Sequence, residues 1–467
     1  MSKEKSAADK LREELLVQNK HMAKVVSDDE INKAFEFSKG YMSFMKKAKT
    51  EREAVKEIEK MAYEKGFEPF VPDKKYKPGD KVIYNNRGKA VILAVIGKKS
   101  IKEGVRISAA HIDSPRIDLK PNPLYEDSEL ALFKTHYYGG IKKYQWTAIP
   151  LSLHGVVIKA NGEKVGITIG EAEGEPKFVI TDLLPHLGQA QSQKKLGEAI
   201  KGEDLNIVVG SLPLKDAEGG DAVKLNIMII LNEKYGITEV DFRRAELEIV
   251  PAFDPSDIGF DRSMIGAYGH DDRVCAYPAL MAILDSKEPE HTIMTVLTDK
   301  EETGSDGNTG LNSAYLKYFI YDLAAMEGVP GYRVLSKSEC LSADVNAGFD
   351  PTYPEVMERN NSAYLNRGVV LTKYTGSRGK GGTSDASAEF MGKVISLFER
   401  AGIPWQTGEL GKVDEGGGGT VAKYVANLDI DVVDVGVPVL SMHSPYEIVS
   451  KLDLYAAYRA FYEFFKD

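Results

Sequence analysis

Cysteine is nearly absent from this chain of 467 residues: there are two, Cys275 and Cys340, each inside an apolar run. Two thiols are too few for a disulfide framework, so they read as reduced core residues and point to a cytoplasmic protein. No uninterrupted apolar stretch approaches the roughly 18 residues of a membrane helix, and no membrane span is expected. The segment Met1 to Lys20 is charged and has no apolar core, so no secretory signal is expected either. Positive charge is not in excess, with 60 Lys and Arg against 70 Asp and Glu and a net charge of −10, which argues against a nucleic-acid partner. Internal repeats and low-complexity tracts are also missing, which excludes solenoid and linker architectures.

What the chain does have is length and a repeated local design. At 467 residues it exceeds one ordinary domain, and two are expected. Residues 8 to about 65 have helical periodicity, and Val82 to Tyr84 and Ala90 to Ile96 read as strands around the turn at Asn85 to Gly88. From about Pro115 to Glu246 the character changes to alternating runs such as Gly155 to Ile158 and Lys224 to Ile230, which read as strands. Helical patterns then return at 274 to 286, 311 to 325, 385 to 401 and 451 to 465.

Five apolar, strand-like or helix-like runs abut metal-capable side chains. The run His291 to Leu297 is followed by Thr298-Asp299-Lys300-Glu301-Glu302-Thr303-Gly304. Adjacent carboxylates raise each other's pKa unless a cation or proton separates them, so a metal on one and a water on the other would explain the pair. Val105 to Ala110 ends in His111-Ile112-Asp113; residues two apart on a strand share a face, so Asp113 can orient the His111 ring. Gly269-His270-Asp271-Asp272-Arg273 precedes an apolar helix, where the acids could also serve as an N-terminal cap. Asp344 closes the short run from Cys340, and His443 follows Val432 to Leu440. Together they place two histidines and several carboxylates at strand ends, the edge where open α/β sheets bind ligands. Such a donor set suits a pair of zinc-like ions.

In order, the motifs AAHIDSP, GHDDR, TDKEETGS, SADVNAGFDP and SMHSPYE, with YYGG at Tyr137 to Gly140 and DLLPHL at Asp182 to Leu187, resemble the aspartyl aminopeptidase and aminopeptidase I family of co-catalytic metallo-exopeptidases. The likeness runs from about residue 20 to the C-terminus. It implies an α/β fold: a catalytic domain of residues 1–114 and 247–467, with a central mixed sheet flanked by helices, and an inserted β-rich dimerisation domain of residues 115–246. It implies two divalent ions per subunit, zinc first and cobalt or manganese as alternatives. His111 and Asp344 would hold one and Glu302 and His443 the other, bridged by Asp271, or by Asp272 if the register differs. Glu301 would be the general base and Asp113 the group orienting His111. The implied reaction is removal of a single unblocked N-terminal residue from peptides, with preference for Asp or Glu, by a homo-oligomer built from dimers into a dodecamer. A neutral, leucine-type preference, or a deacylase or carboxypeptidase on the same metals, is the alternative.

Other features have plainer readings. Asp414 to Thr420 is glycine-rich, but no Walker lysine follows, so a flexible loop opening the helix Val421 to Leu428 is expected. His136 and His186 lie in the insert and read as structural histidines, with a role reaching into a neighbouring subunit's site as the alternative for both and substrate binding assigned to His186. Lys373, or failing it Arg378, is the candidate partner for an acidic substrate side chain. Ala347 to Pro351 lacks the histidines that eukaryotic relatives carry there, which weighs against the acidic preference.

Overall fold

The structure, a computed structural model, describes residues 6–17, 20–217 and 219–467. Gln18 and Asn19 of the expected N-terminal helical region, and Glu218 of the polar stretch near 215 to 221, lie outside the described residues. Among the described residues the largest sheet has nine strands, with Arg106–His111 at its centre between Ile293–Thr298 and Glu339–Ser342. Those three run parallel, as does Asp431–Gly436 beside Glu339–Ser342, so their C-terminal ends share one edge. Ala90–Val95 and Val369–Thr372 are antiparallel to their inner neighbours, which makes the sheet mixed.

Burial on both faces explains why these strands read as continuous apolar runs. Every residue of Ala90–Val95 is buried. Val91, Leu93 and Val95 face one core, with the helices Asp28–Lys47, Glu51–Glu64, His270–Asp285 and Lys451–Lys466, while Ala90, Ile92 and Ala94 face the other, with Tyr315–Met326. Side-chain caps start several of these helices: Ser27, Ser387 and Ser450 each accept an amide, and Thr50 with Glu53 forms a capping box. In Lys451–Lys466, Phe461, Phe464 and Phe465 are at most 2% exposed, each burial contributing about 1.5 to 3 kcal/mol.

A second sheet of seven strands is formed by residues from Arg116–Asp127 to Ala245–Pro251 and has its own apolar core, including Trp146, Leu151 and Ile249. Lys224 to Ile230 is not a strand: it lies inside the helix Ala222–Tyr235. The misreading has a physical cause, because Lys224-Leu225-Asn226-Ile227 alternates polar and apolar as a strand would, while the apolar residues of the whole helix lie on every side of its axis and show no helical period. Its helical start is set from elsewhere, by the Glu126 carboxylate accepting the Val223 and Lys224 amides. A third sheet pairs Met264–Ala267 with Glu447–Ser450, and Glu447–Ser450 with Pro438–Leu440. It brings the start of the His270–Asp285 helix and the loop carrying His443 to the C-terminal edge of the large sheet.

Candidate metal centre and active site

Five chain segments converge at that edge. His111 is the last residue of Arg106–His111, Glu301 and Glu302 sit in the 3-10 turn Glu301–Thr303 after Ile293–Thr298, and Asp344 lies just beyond Glu339–Ser342. Asp271 is at the opening of the His270–Asp285 helix, where Asp271 and Asp272 depart from helical dihedrals. His443 adopts left-handed backbone dihedrals, φ 63°, as does Lys300, φ 69°, which opens the Glu301 turn. Such conformations are uncommon outside glycine and collect at functional sites. Gly436 permits another close approach, since any side chain there would collide with the Asp344 carbonyl.

The two oxygens of Asp271 face two histidines. Oδ1 is 3.1 Å from His111 Nε2 and Oδ2 is 3.2 Å from His443 Nε2. Asp344 Oδ1 is 3.9 Å and Glu301 Oε2 4.0 Å from His111 Nε2, and Glu302 Oε2 is 3.6 Å from His443 Nε2. Donor atoms of His111, Glu301 and Asp344, and of His111, Asp271 and Glu302, lie within 4.8 Å of one another. Donor atoms of Asp271, Asp272 and Asp344 also lie within 4.8 Å of one another, but no His443 contact is formed by Asp272, whose Oδ2 accepts the His111 backbone amide at 3.3 Å. The residues fit divalent ions, because Asp271 Oδ1 and Glu302 Oε1 are buried without a hydrogen-bond partner and the set combines imidazole with carboxylate.

Electrostatics agree with a site short of positive charge. Burial, then the neighbouring Asp113 and Asp271, pushes Glu301 up to about 7. Burial and Asp271 push Glu302 well above its ordinary range, and burial, Glu301 and Asp272 do the same to Asp344. Against its own burial, Asp271 is held low by the His111 and His443 rings. His443, which burial alone would depress, is pushed up to about 10 by Asp271 and Glu302.

The supporting groups differ from expectation in detail. His111 Nδ1 is 3.0 Å from the Asp113 carbonyl oxygen and 3.3 Å from its carboxylate Oδ1. The Asp113 carboxylate also accepts the Glu301 and Glu302 amides at 3.1 and 3.3 Å, so it braces the glutamate turn as well as the ring. Glu447, which the sequence reading did not single out, accepts the amides of His443 at 2.7 Å and Asp271 at 3.1 Å. Its only sequence signal is its place four residues after His443 in SMHSPYE. From the second sheet, the Gly140 carbonyl lies 2.8 Å from His443 Nδ1, which leaves Nε2 for the centre. His270 is structural: it is fully buried, accepts the Tyr41 hydroxyl at Nδ1 and donates from Nε2 to the Ile265 carbonyl.

A cavity of about 580 Å³ opens on this edge, lined by Glu301, His443, Asn346, Thr372, Thr375, Leu410, Met442 and the Gly417 to Gly419 loop among others. Lys373 is not among its lining residues; it stands at 44% exposure in an ion pair with Asp385. Arg378 and His186 are exposed and do not line the cavity, and His136 is exposed beside Tyr137.

The profile of the aminopeptidase I zinc metalloproteases (M18) matches residues 44–465. This chain belongs to the M18 family. It is 48% identical over 450 residues to a probable M18 family aminopeptidase 1 of Clostridium acetobutylicum, covering 95% of this chain and 97% of that one. A Thermotoga maritima protein described in the same words is 49% identical over 431 residues, with 91% and 94% covered. The crystal structure of the M18 aminopeptidase from Thermotoga maritima superposes with a TM-score of 0.92 over 96% of this chain and 99% of that one, at 46% identity. Yeast aminopeptidase 1, one structure of which is described as a dodecamer, shares the fold at 20% identity and TM-score 0.76. The chain is therefore a zinc metallo-aminopeptidase of this family, a hydrolase.

Proposed function

We propose that this M18 enzyme releases one residue at a time from unblocked peptide N-termini with two divalent ions, zinc foremost and cobalt or manganese as substitutes. His111 and Asp344 would hold one ion and Glu302 and His443 the other, with Asp271 between them. The observation that carries this reading is the single Asp271 carboxylate whose oxygens face two histidines from different elements. When bound, the ions would lower the pKa of a water and polarise the scissile carbonyl. Glu301 takes the proton released from that water at its carboxylate and passes it to the leaving amine. Asp113 holds the Glu301 amide, which fixes the base relative to His111. The substrate's free amino group would be held at the same centre, by the ion that is not polarising the carbonyl, which confines hydrolysis to the first residue.

An acidic preference through Lys373 would require its ammonium to leave Asp385. The cavity lining includes one lysine, Lys423, but Thr372, Thr375, Leu410 and Met442 beside it favour a neutral N-terminal residue, and we take that preference as the reading. A homo-oligomer of dimers joined through residues 115–246 fits the apolar groups exposed there, including Leu187, Leu212 and Ile230. The cytoplasmic placement rests on the buried free thiols of Cys275 and Cys340. Among the described residues no helix is long and apolar enough to cross a membrane.

The test is a panel of dipeptides and their N-acetylated forms, assayed after chelation and after zinc is restored. Release of a neutral first residue, only with zinc and only from the unblocked peptide, is expected. Cleavage of the acetylated peptides would move the chain to the deacylase or carboxypeptidase reading, and faster release of Asp would restore the role of Lys373.

A further inference from the structure

The second sheet reaches the metal centre through three consecutive residues. Tyr138 ends the strand Leu130–Tyr138, and its hydroxyl donates to Asp113 Oδ2 at 2.8 Å. Gly139 follows with left-handed dihedrals; a side chain there would come within 3.3 Å of Glu302. Gly140 then offers its carbonyl to His443. One short segment thus touches the supports of both halves of the proposed centre.

We infer that Tyr138 is a positioning residue for the metal centre, acting through Asp113 on the His111 ring and on the Glu301–Glu302 turn. The inference rests on the metallo-aminopeptidase reading. Asp113 is fully buried and takes the Glu301 and Glu302 amides on separate oxygens, with His111 Nδ1 also beside Oδ1. Among the described residues its Oδ2 otherwise has only the 3.3 Å contact from the Glu302 amide, so the 2.8 Å phenol is the closer donor on that oxygen. A buried carboxylate keeps one orientation when every donor is in place, and a missing donor releases it. The phenol itself cannot swing. The Arg116 guanidinium stacks 3.9 Å from its ring centroid, and Arg116 lies opposite Tyr138 in strand register. Arg116 is in turn fixed by Asp118 at 2.8 Å, Glu51 at 3.4 Å and Glu248 at 3.5 Å. The chain of contacts runs from the helix Glu51–Glu64 through Arg116 and Tyr138 to the ligand-bearing loops.

Tyr138→Phe keeps the ring on Arg116 and removes only the hydroxyl. In the full-length protein we expect zinc to be released to a chelator about 10- to 100-fold faster, and kcat to fall by a similar factor, the usual cost of losing a group behind a ligand. KM should stay within about twofold, and the melting temperature without zinc should fall by no more than the few degrees that one lost hydrogen bond costs, because the larger effect falls on the centre and not on the fold. In an Asp113→Asn background the same substitution should alter zinc release by no more than about twofold. Tyr137→Phe, at a phenol 40% exposed, should leave both properties as in the wild type. Wild-type zinc release and kcat in Tyr138→Phe would overturn the inference. So would an undiminished loss in the Asp113→Asn background, or a fall in the zinc-free melting temperature that accounts for the change. A wild-type protein that neither binds zinc nor hydrolyses peptides would instead overturn the metal reading from which the inference starts.

Discussion

Glu301 and Glu302 are neighbours in sequence and separate in surroundings. Glu302 Oε2 is 3.6 Å from His443 Nε2, whereas Glu301 Oε2 is 4.0 Å from His111 Nε2. Glu301→Gln should therefore leave metal content intact while kcat falls by at least about 10², because proton transfer is lost. Metal analysis and steady-state kinetics on the same preparation check this. Loss of an ion from Glu301→Gln but not from Glu302→Gln would exchange the two roles. Glu447→Gln should weaken zinc binding by about 10- to 100-fold, since one carboxylate holds the amides of both Asp271 and His443; equilibrium competition with a chelator measures it. At this scale the segments carrying His111, Asp271, Glu302, Asp344 and His443 stand out because each abuts an apolar run, while the choice of these residues as ligands comes from the family resemblance. Glu447 and Tyr138 do not stand out, because a group that acts on another side chain through space leaves no pattern in the sequence. Lys373 was visible as a lysine near a strand end, but its partner Asp385 lies across a loop that only the fold closes.

Between elements, the seam of the two large sheets carries a buried relay. His154, on the strand Leu151–Ile158, is 2.7 Å from Glu53 on the helix Glu51–Glu64 and 3.0 Å from Glu171, which also pairs with Lys49 at 2.8 Å. Burial alone would lower the pKa of His154, but hydrogen bonds to Glu171 and Glu53 raise it above its ordinary value. A raised folded-state pKa contributes stability that is fully present below the unfolded value near 6.5 and is lost as pH rises through the folded value. The melting-temperature difference between wild type and His154→Gln should thus be largest near pH 6 and shrink as the solution turns alkaline. A difference that grows with pH would contradict it. The helices with side-chain caps and amphipathic faces were readable from spacing. The helix Ala222–Tyr235 was not, because its apolar residues surround the axis and only Val223 and Leu231 among them are buried in this chain.

That incomplete burial matters for the whole molecule. A helix apolar on all sides normally has partners on all sides, and here Leu225 and Ile230 remain 46% and 51% exposed. Light scattering should report a multiple of the 51.4 kDa chain mass, and Ile230→Glu should shift the population to smaller species, since burying an unpaired carboxylate costs about 2 kcal/mol or more. A monomeric wild type would remove the assembly reading. If one carboxylate, Asp271, joins two metal ions, the number of ions held per chain depends on it. Zinc per chain, measured by elemental analysis after dialysis, should be two in the wild type, and both should be weakened in Asp271→Ala, with activity abolished. A wild type holding a single ion, or an Asp271→Ala variant that keeps both, would rule out a shared carboxylate.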